Sequence, residues 1–216
     1  NELMKEFSQR FYHFIFWPLR IIFALKHPVL RVHGKENVPE GAAIVCCNHS
    51  AFSDPIWVMF AAHPKRIFRT MAKKELFSHK ILGFLITKVG AFPVDRSTSD
   101  INAVKTSMQI LKSGDKLLIF PEGTTIHDGV GYHDGLPAHA HSGIAMIGVR
   151  SGATLVPVFA DGKKRMFRKT TIIFGEPYVP QITGRRGTSE ELQKVADDVL
   201  REAYALGGQA VGGAPL

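Results

Sequence analysis

The chain has 216 residues, enough for one domain with a substantial core, and its hydrophobic fraction of 45% excludes bulk disorder. It carries 27 Lys and Arg against 19 Asp and Glu, a formal net charge of +8, which favours an anionic partner such as a membrane surface, a phosphorylated substrate or nucleic acid. The two cysteines, Cys46 and Cys47, are adjacent, and neighbours on a strand point to opposite faces. No disulfide framework is expected, which indicates a cytosolic protein.

The first predicted element, within residues 1–27, is dense in aromatic and aliphatic side chains. Its apolar run, residues 11–25, is interrupted by Pro18 and Arg20 and is shorter than the roughly 20 apolar residues that span a bilayer. No small-residue cleavage site follows it, so a signal peptide is not expected either. We predict an amphipathic helix in the membrane interface, at the cytoplasmic face of the cell membrane. The alternative is a helix packed on the domain's own core.

From residue 28 to residue 206, short β-rich runs alternate with helical stretches, which predicts one α/β domain. Strands are expected at 29–33, 43–47, 67–71, 89–94, 116–120, 154–160 and 170–174. Helices are expected at 53–62, 80–88, 97–113, 142–151 and 188–205. Ser97 or Thr98 is predicted to cap the third of these helices, and Thr188 with Glu191 to form a capping box for the last. Residues 207–216, rich in Gly and Ala, are predicted to be a flexible tail.

The end of the second predicted strand carries a possible general base. Residues 46–55 place His49 and Asp54 five positions apart. If the backbone turns between them, the carboxylate holds the imidazole in one tautomer, and the other ring nitrogen is free to take a proton from a hydroxyl. By itself, this spacing is equally compatible with a capped helix start beside a buried histidine.

Three more blocks follow this one in a fixed order. They are Lys73, Leu76, Gly83 and Arg96, then Phe120-Pro121-Glu122-Gly123-Thr124, then Leu155-Val156-Pro157-Val158. Together with the first block they resemble the membrane-associated glycerolipid acyltransferases, over about residues 28–180. The resemblance implies a mixed, largely parallel sheet of about seven strands flanked by helices. It also implies transfer of a fatty acyl chain from acyl-carrier protein or coenzyme A to the hydroxyl of a lyso-lipid, above all 1-acylglycerol-3-phosphate.

His49 is then the predicted catalytic base, and Asp54 its orienting partner. No covalent acyl-enzyme is required, because His49 acts on the bound acceptor itself, and no cofactor beyond the acyl thioester is expected. By the same resemblance Glu122, with Gly123 and Thr124, binds the acceptor. The N–H of Gly123 is a candidate donor to the oxyanion of the tetrahedral intermediate.

Arg96, at the end of a predicted strand, suits a phosphate through a bidentate guanidinium contact, and Lys73 would assist it. For both residues the alternative is a solvated surface charge. The buried-looking stretch of Val156, Pro157 and Val158 is expected to shape the floor of the acyl or acceptor pocket.

Two departures from the family pattern affect the acceptor. Thr125 stands where the family commonly has an arginine, and His141-Ser142-Gly143 stands where a lysine usually precedes a small pair. Both changes remove a cation that would face an acceptor phosphate. A lyso-aminolipid or another lysophospholipid therefore remains an alternative acceptor.

Other local features favour no further chemistry. His127, His133, His139 and His141 recur through a predicted loop, but their spacing matches no standard zinc site and no metal is expected. Cys47 is predicted to be a buried strand residue and not a nucleophile. The basic segment 163–169 suits anionic headgroups, with a solvated hairpin as the alternative. A basic module that binds membranes or nucleic acid without catalysis is the remote alternative; no nucleic-acid motif accompanies the charge, so no nucleic-acid partner is expected.

Overall fold

The computed structural model describes residues 7–62, 66–98, 100–126, 132–133, 136–137, 139–162, 164, 167 and 169–211, with 132–133 and 136–137 as backbone only. The elements in chain order are α1 (Gln9–Lys26), β1 (Leu30–His33), β2 (Ala43–Cys47), α2 (Asp54–Ala62), β3 (Phe68–Lys73), α3 (Lys80–Lys88), β4 (Phe92–Val94), α4 (Ile101–Lys112), β5 (Lys116–Ile119), β6 (Tyr132–His133), β7 (Leu136–Pro137), α5 (Gly143–Ser151), β8 (Thr154–Ala160), β9 (Thr170–Phe174) and α6 (Ser189–Leu206). Short 3-10 helices occupy Lys35–Asn37 and Lys74–Ser78.

Within the described part of the chain, seven strands form one mixed sheet in the order β1-β9-β8-β2-β5-β3-β4. The strands from β8 to β4 in that order are parallel, β9 is antiparallel to β8, and β1 is parallel to β9. At the centre, Val45 of β2 is paired with Leu118 of β5 and Val156 of β8. The predicted α/β class, with a mixed and largely parallel sheet, is confirmed.

Successive residues of β2 point to opposite faces of the sheet, and helices cover both faces. Val45 and Cys47 pack with α1 and α2, whereas Ile44 and Cys46 pack with α4, α5 and α6. Burial on both faces explains why this strand is apolar throughout. Both cysteines are free and buried, as predicted. Burial raises the pKa of the Cys47 thiol well above its ordinary value, which disfavours the thiolate that a nucleophile requires.

Helix α1 is apolar on two sides. Tyr12 and Phe16 are buried against the core, so the core-packed alternative describes the inner side of this helix. The outer side exposes half or more of each of its large apolar residues, Phe14, Trp17, Ile21, Ile22 and Leu25. Pro18 lies inside the helix, which continues past it. Among the helices that the structure describes, none has the length and apolar character needed to cross a membrane.

The largest error in the predicted boundaries is the start of α4. Asp100, and neither Ser97 nor Thr98, caps this helix, because its carboxylate accepts hydrogen bonds from the backbone N–H groups of Asn102 and Ala103 at 2.9 and 3.0 Å. Ser97 belongs to the preceding turn. The predicted strand at 89–94 is likewise too long, because residues 89–91 close helix α3 and only Phe92–Val94 pairs with β3.

The predicted capping box of α6 is present. Thr188 Oγ1 accepts the Glu191 N–H at 3.1 Å, and the Glu191 carboxylate accepts the Thr188 N–H at 2.7 Å. Beyond α6, Val211 packs against the core face that α4, α5 and α6 cover. Residues 212–216 lie outside the described residues, so the flexibility of the tail stays a prediction, as does the division into segments 1–27, 28–206 and 207–216.

Candidate active site

The predicted site residues follow strands that end at one edge of the sheet, which we call the carboxyl edge. The parallel strands β2, β5, β3, β4 and β8 all end there. His49 follows β2 and Glu122 follows β5, while Lys73 is the last residue of β3 and Arg96 follows β4. Open α/β sheets bind their ligands outside the carboxyl ends of their strands. The topology therefore assembles these residues on the side of the sheet where a ligand is expected.

A tight turn between β2 and α2 brings His49 and Asp54 into contact. Asp54 is the first residue of α2, and its Oδ2 accepts the backbone N–H groups of Ser50 and Ala51, both at 2.7 Å. Nδ1 of His49 lies 3.2 Å from the same oxygen. When Nδ1–H donates to Asp54, Nε2 is the unprotonated nitrogen that can accept a proton. The turn that the sequence required for a dyad is present.

Neighbouring groups keep the completely buried Asp54 ionised. Burial alone would raise the pKa of its carboxyl, but the hydrogen bond from His49, the charge and hydrogen bond of Lys164 and the N–H of Ala51 together hold that pKa below its ordinary value. The ammonium group of Lys164 contacts Oδ1 of Asp54, and only 5% of the Lys164 side chain is exposed. The predicted headgroup contact is therefore wrong for Lys164. Residues 163, 165–166 and 168 of that segment lie outside the described residues.

The carboxylate of Glu122 connects the backbone of His49 to helix α6. Its Oε2 accepts the backbone N–H of His49 at 2.6 Å, and its Oε1 accepts the hydroxyl of Tyr204 at 2.5 Å. Both side chains are buried. Through Glu122, the backbone of His49 is therefore fixed relative to helix α6. The predicted binding of the acceptor by Glu122 stays a prediction.

The hydroxyl of Thr125 contacts the outward nitrogen of His49. Thr125 Oγ1 lies 3.1 Å from Nε2 of His49, and because that nitrogen is the acceptor, the hydroxyl is the donor. The loop reaches this position because the N–H of Ile126 donates to the His49 carbonyl at 2.6 Å. The imidazole also stacks on the ring of Phe120, with centroids 4.2 Å apart.

Gly123 occupies a turn that excludes other residues. Its φ of +65° is in the left-handed region, and a Cβ atom there would lie 2.6 Å from the imidazole of His141. The N–H of Gly123 donates to the carbonyl of Phe120 at 3.0 Å. In this conformation, the N–H that was predicted to face an oxyanion is thus bonded within the turn. Thr124, the next residue, is half-buried.

Lys73 and Arg96 lie farther along the carboxyl edge and do not contact His49. Strands β3 and β4 are two and three positions from β2, which at about 4.8 Å per strand places their ends roughly 10 and 14 Å away. Both side chains are exposed, and no residue that the structure describes forms an ion pair with either. Lys74 and Asp95 form an ion pair that connects the segments after β3 and β4.

The side chains of Val156 and Val158 are completely buried in β8, and Pro157 between them is buried as well. Val156 and Val158 belong to the core face that α1 and α2 cover. The carbonyl of Val158 accepts the N–H of Asn48 at 3.3 Å, so this strand supports the segment that carries His49. In this conformation the three residues have no open surface, and their role in a pocket stays a prediction.

Asn48 fastens the same segment with its side chain. Its Nδ2 donates to the carbonyl of Ala160 at 3.1 Å, and its Oδ1 accepts the N–H of Ala160 at 2.7 Å. This pair extends the β2–β8 ladder by one residue and fixes the backbone immediately before His49. An asparagine at the end of an apolar strand was the available sequence signal, since a buried amide needs partners of this kind.

The described residues contain no group of three His, Cys, Asp or Glu side chains arranged to hold a metal ion. The predicted histidine loop is only partly among them: His127 lies outside, and of His133 only the backbone is described. His139 is exposed, and His141 packs against Gly123. That this loop holds no metal stays a prediction.

Comparison with known proteins identifies the family. The family model described as Acyltransferase matches residues 29–161. A 1-acyl-sn-glycerol-3-phosphate acyltransferase of Bacillus subtilis is 35% identical over 172 residues, which are 77% of this chain and 81% of that relative. The chain belongs to the acyltransferase family. The enzyme of the same description from Streptococcus pneumoniae is 38% identical over 95 residues, 43% of this chain and 36% of that relative.

The acyltransferase fold is also seen in a solved structure. The 1-acyl-sn-glycerophosphate acyltransferase PlsC of Thermotoga maritima superposes with a TM-score of 0.61 at 22% identity, covering 96% of this chain and 80% of that one. At this level of identity the likeness establishes the shared fold.

Three residues of this acyltransferase contact the site although none of them was predicted to belong to it. Lys164 was assigned to a surface segment, Tyr204 lies on α6 more than eighty positions from Glu122, and Thr125 was noted only for not being an arginine. The contacts of Lys164 and Tyr204 depend on tertiary structure. The adjacency of Thr125 to the Glu122 block was the one local signal that pointed to the site.

Proposed function

We propose that this acyltransferase transfers a fatty acyl group from an acyl thioester, acyl-carrier protein or coenzyme A, to the free hydroxyl of 1-acyl-glycerol-3-phosphate, giving phosphatidic acid for phospholipid biosynthesis. The similarity to the 1-acyl-sn-glycerol-3-phosphate acyltransferases of Bacillus subtilis and Streptococcus pneumoniae supports this acceptor. The observation that carries the chemistry is the buried His49–Asp54 contact of 3.2 Å, with Nε2 of the imidazole turned away from the carboxylate.

His49 acts as a general base. Its Nε2 takes the proton of the acceptor hydroxyl while the oxygen attacks the thioester carbonyl carbon, and Asp54 stabilises the imidazolium that forms. The tetrahedral intermediate then expels the thiolate, which receives the proton back from His49. An ester and a free thiol are formed, with no acyl group on the protein and no cofactor consumed.

The acceptor phosphate is proposed to lie toward Arg96 and Lys73. Both cations are exposed at the carboxyl edge, and the structure describes no ion pair that would compete for them. A guanidinium group binds phosphate through two parallel hydrogen bonds, and Lys73 adds a second positive charge. Gly123 and Thr124 would lie between this phosphate and His49, and the Gly123 N–H becomes a donor to the oxyanion if its turn bond to Phe120 is exchanged for the substrate.

The enzyme is proposed to work at a membrane surface without spanning it. The outer side of α1 presents an exposed apolar stripe, and Phe52, close to His49 in the chain, is 68% exposed at the carboxyl edge. A helix with such a stripe lies in the interface, with its apolar side in the acyl region. The acceptor then reaches His49 from the lipid phase.

The decisive experiment measures thiol release from acyl-coenzyme A or acyl-carrier protein with and without 1-acyl-glycerol-3-phosphate. His49→Ala should lower kcat by about 10²–10⁴-fold, the range that general-base groups supply. His33→Ala is the matched control, because His33 is exposed at the end of β1, at the opposite edge of the sheet. Retention of more than a few per cent of activity by His49→Ala would contradict the assignment.

The acceptor is tested by competition between lysolipids. Arg96→Gln and Lys73→Gln should raise KM for 1-acyl-glycerol-3-phosphate and leave KM for a monoacylglycerol unchanged, with the exposed Lys105→Gln on α4 as control. A higher kcat/KM for a lyso-aminolipid than for the phosphate acceptor would replace the acceptor and leave acyl transfer in place.

A further inference from the structure

We propose that Lys164 is a positioning residue for this reaction, which holds the Asp54 carboxylate and thereby keeps His49 unprotonated and able to accept a proton. The inference is built on the proposed roles of His49 and Asp54 and adds a third residue to them. Lys164 does not reach the substrate side of the imidazole; it acts through Asp54.

The contacts of Lys164 are those of an interior residue. Its ammonium group pairs with Oδ1 of Asp54, donates to the carbonyl of Asp161 at 2.6 Å and lies 3.4 Å from the hydroxyl of Ser50. Nδ1 of His49 lies 3.2 Å from the other carboxylate oxygen, so one carboxylate joins the ammonium group and the imidazole.

The loop that carries Lys164 is anchored on both sides of it. The N–H of Asp161 donates to the carbonyl of Thr171 at 3.0 Å, which closes the β8–β9 connection. Farther along, the N–H of Phe167 donates to the carbonyl of Lys26 at the end of α1, at 2.7 Å. Phe167 has a φ of +61°, a conformation that non-glycine residues rarely adopt. Lys164 therefore lies between two anchored points of the chain, and its ammonium group points inward to Asp54.

The charges around His49 explain what Lys164 does. Around His49, Asp54 of α2 contacts the ring, Glu122 after β5 accepts the backbone N–H, and Lys164 after β8 pairs with Asp54. The Cys47 thiol is buried where the charges of Asp54, Lys164 and Glu122 act on it, and His141 packs on Gly123, next to Glu122. A buried carboxylate beside an imidazole favours the imidazolium, because the pair is then neutral. Lys164 supplies that neutralising charge to Asp54 itself. With Asp54 already paired, an added positive charge on His49 gains less from the carboxylate than it would from an unpaired one.

The same contact explains why Asp54 remains a carboxylate at full burial. The pKa of Asp54 is held low even though burial opposes ionisation, and Lys164 is among the groups responsible. If Lys164 is removed, His49 becomes the nearest cationic partner left to Asp54, and the imidazole is expected to take up a proton at a higher pH.

The test is the pH dependence of kcat/KM in Lys164→Met, Lys164→Arg and Lys169→Met. In Lys164→Met the acidic limb of the kcat/KM profile should move to higher pH by about 1–2 units, as expected for the loss of a neighbouring positive charge. On the alkaline side of the profile, kcat/KM should recover to within a few-fold of the wild type. Lys164→Arg should keep the wild-type limb. Lys169→Met, an exposed residue of the same loop, should change nothing.

A uniform loss of activity in Lys164→Met, with the acidic limb in place, would show a merely structural role and overturn the proposal. If Lys164→Met does not fold, Lys164→Gln, which keeps a hydrogen-bond donor but no charge, carries the same comparison. Urea unfolding of each variant establishes that it is folded.

A second measurement separates this inference from the proposed function. The titration of the His49 imidazole is followed by NMR of histidine-labelled protein without substrate, with His49→Ala to assign the signal. An upward shift in Lys164→Met supports the inference even if His49→Ala turns out to be active. An unchanged titration refutes it even if His49 is the base.

Discussion

The hydroxyl of Thr125 lies 3.1 Å from Nε2 of His49, on the nitrogen that the proposed mechanism assigns to the acceptor hydroxyl. An incoming acceptor has to displace this hydrogen bond before its own proton can move. Thr125 therefore marks the position that the reacting hydroxyl occupies, and its side chain competes with the substrate for it.

Thr125→Val should accordingly raise kcat/KM for the acceptor by about two- to fivefold, because a net hydrogen bond of roughly 1 kcal/mol no longer has to be broken. Thr125→Ser keeps the hydroxyl and should behave as the wild type. Steady-state kinetics with varied acceptor measure the effect. A tenfold loss in Thr125→Val would instead assign the hydroxyl a productive role.

Asp54→Asn should reduce kcat by about 10²–10⁴-fold, because an amide cannot stabilise the imidazolium and presents an NH₂ group to its cationic neighbours. Assay at saturating acceptor measures the loss, with thermal melting to establish the fold. Activity within tenfold of the wild type would remove Asp54 from the mechanism.

Asp54 also makes the stability of the protein depend on pH. Its pKa in the folded state is lowered, so its contribution to the free energy of unfolding is complete above its ordinary pKa of about 4 and is lost as the pH falls through the folded-state value. The difference in unfolding free energy between wild type and Asp54→Asn should therefore shrink below about pH 4. Urea titrations from pH 7 to pH 3 measure it, and Glu36→Gln, at an exposed position, should show no such trend. A difference that stays constant would exclude this linkage.

Glu122 and Tyr204 should be energetically coupled. Glu122→Gln places an amide where two donors, the His49 N–H and the Tyr204 hydroxyl, now meet carboxylate oxygens, and should lower the free energy of unfolding by about 1–3 kcal/mol. Tyr204→Phe should cost less, because it removes one hydrogen bond. A double-mutant cycle by urea unfolding should give a coupling of at least about 0.5 kcal/mol. Simple additivity would mean that the 2.5 Å contact contributes nothing.

Gly123→Ala should lower both stability and activity, since the new methyl group needs a strained φ and overlaps the His141 ring. Gly114 is the matched control: its φ is also positive, at +84°, but nothing lies within 4 Å of a Cβ there. Gly114→Ala should therefore show the backbone strain alone, with normal activity. Adding His141→Ala to Gly123→Ala should restore part of the loss. Equal effects of the two glycine substitutions would contradict the packing argument.

The outer side of α1 should determine membrane binding. Ile21→Asp replaces a side chain that is 61% exposed on this helix and should weaken binding to anionic vesicles by tenfold or more, since burying an Ile side chain contributes roughly 1.5–3 kcal/mol. Ile101→Asp is the control, because Ile101 is 66% exposed at the start of α4, on the other face of the sheet. Co-sedimentation measures both. If the two variants bind equally, α1 is not the docking element.

The bounds and caps of helices and strands were predicted correctly where residues close together in the chain determine them. The apolar runs at Ala43–Cys47 and Thr154–Ala160 have the predicted bounds, because strands buried on both faces leave continuous hydrophobic runs. The strand Thr170–Phe174, whose burial alternates, also has its predicted bounds. The capping box of α6 was predicted for a similar reason, since its two bonds join residues three positions apart. At α4 all four residues 97–100 are of types that cap helices, so the sequence alone did not select Asp100.

The contacts of the site likewise divide into one between close positions of the chain and others between distant positions. The His49–Asp54 contact joins residues five positions apart and was predicted from that spacing. The contact of Lys164 with Asp54 joins residues 110 positions apart, and that of Tyr204 with Glu122 joins residues 82 positions apart. Long basic side chains are ordinarily solvated, so composition assigned Lys164 to the surface. The contact of Lys164 with Asp54, the first residue of α2, reverses that expectation.

The reversed direction of β9 and β1 sets how far a lipid has to travel. Because β1 begins at the carboxyl edge, α1 ends there too, with Lys26 bonded to the loop that carries Lys164. Had β1 run with β2, α1 would have ended at the opposite edge of the sheet, one strand length or about 15 Å from the carboxyl edge. If α1 docks on the bilayer as proposed, a lysolipid that keeps its tail beside this helix has to raise only its headgroup to react, and its product returns to the bilayer without crossing water.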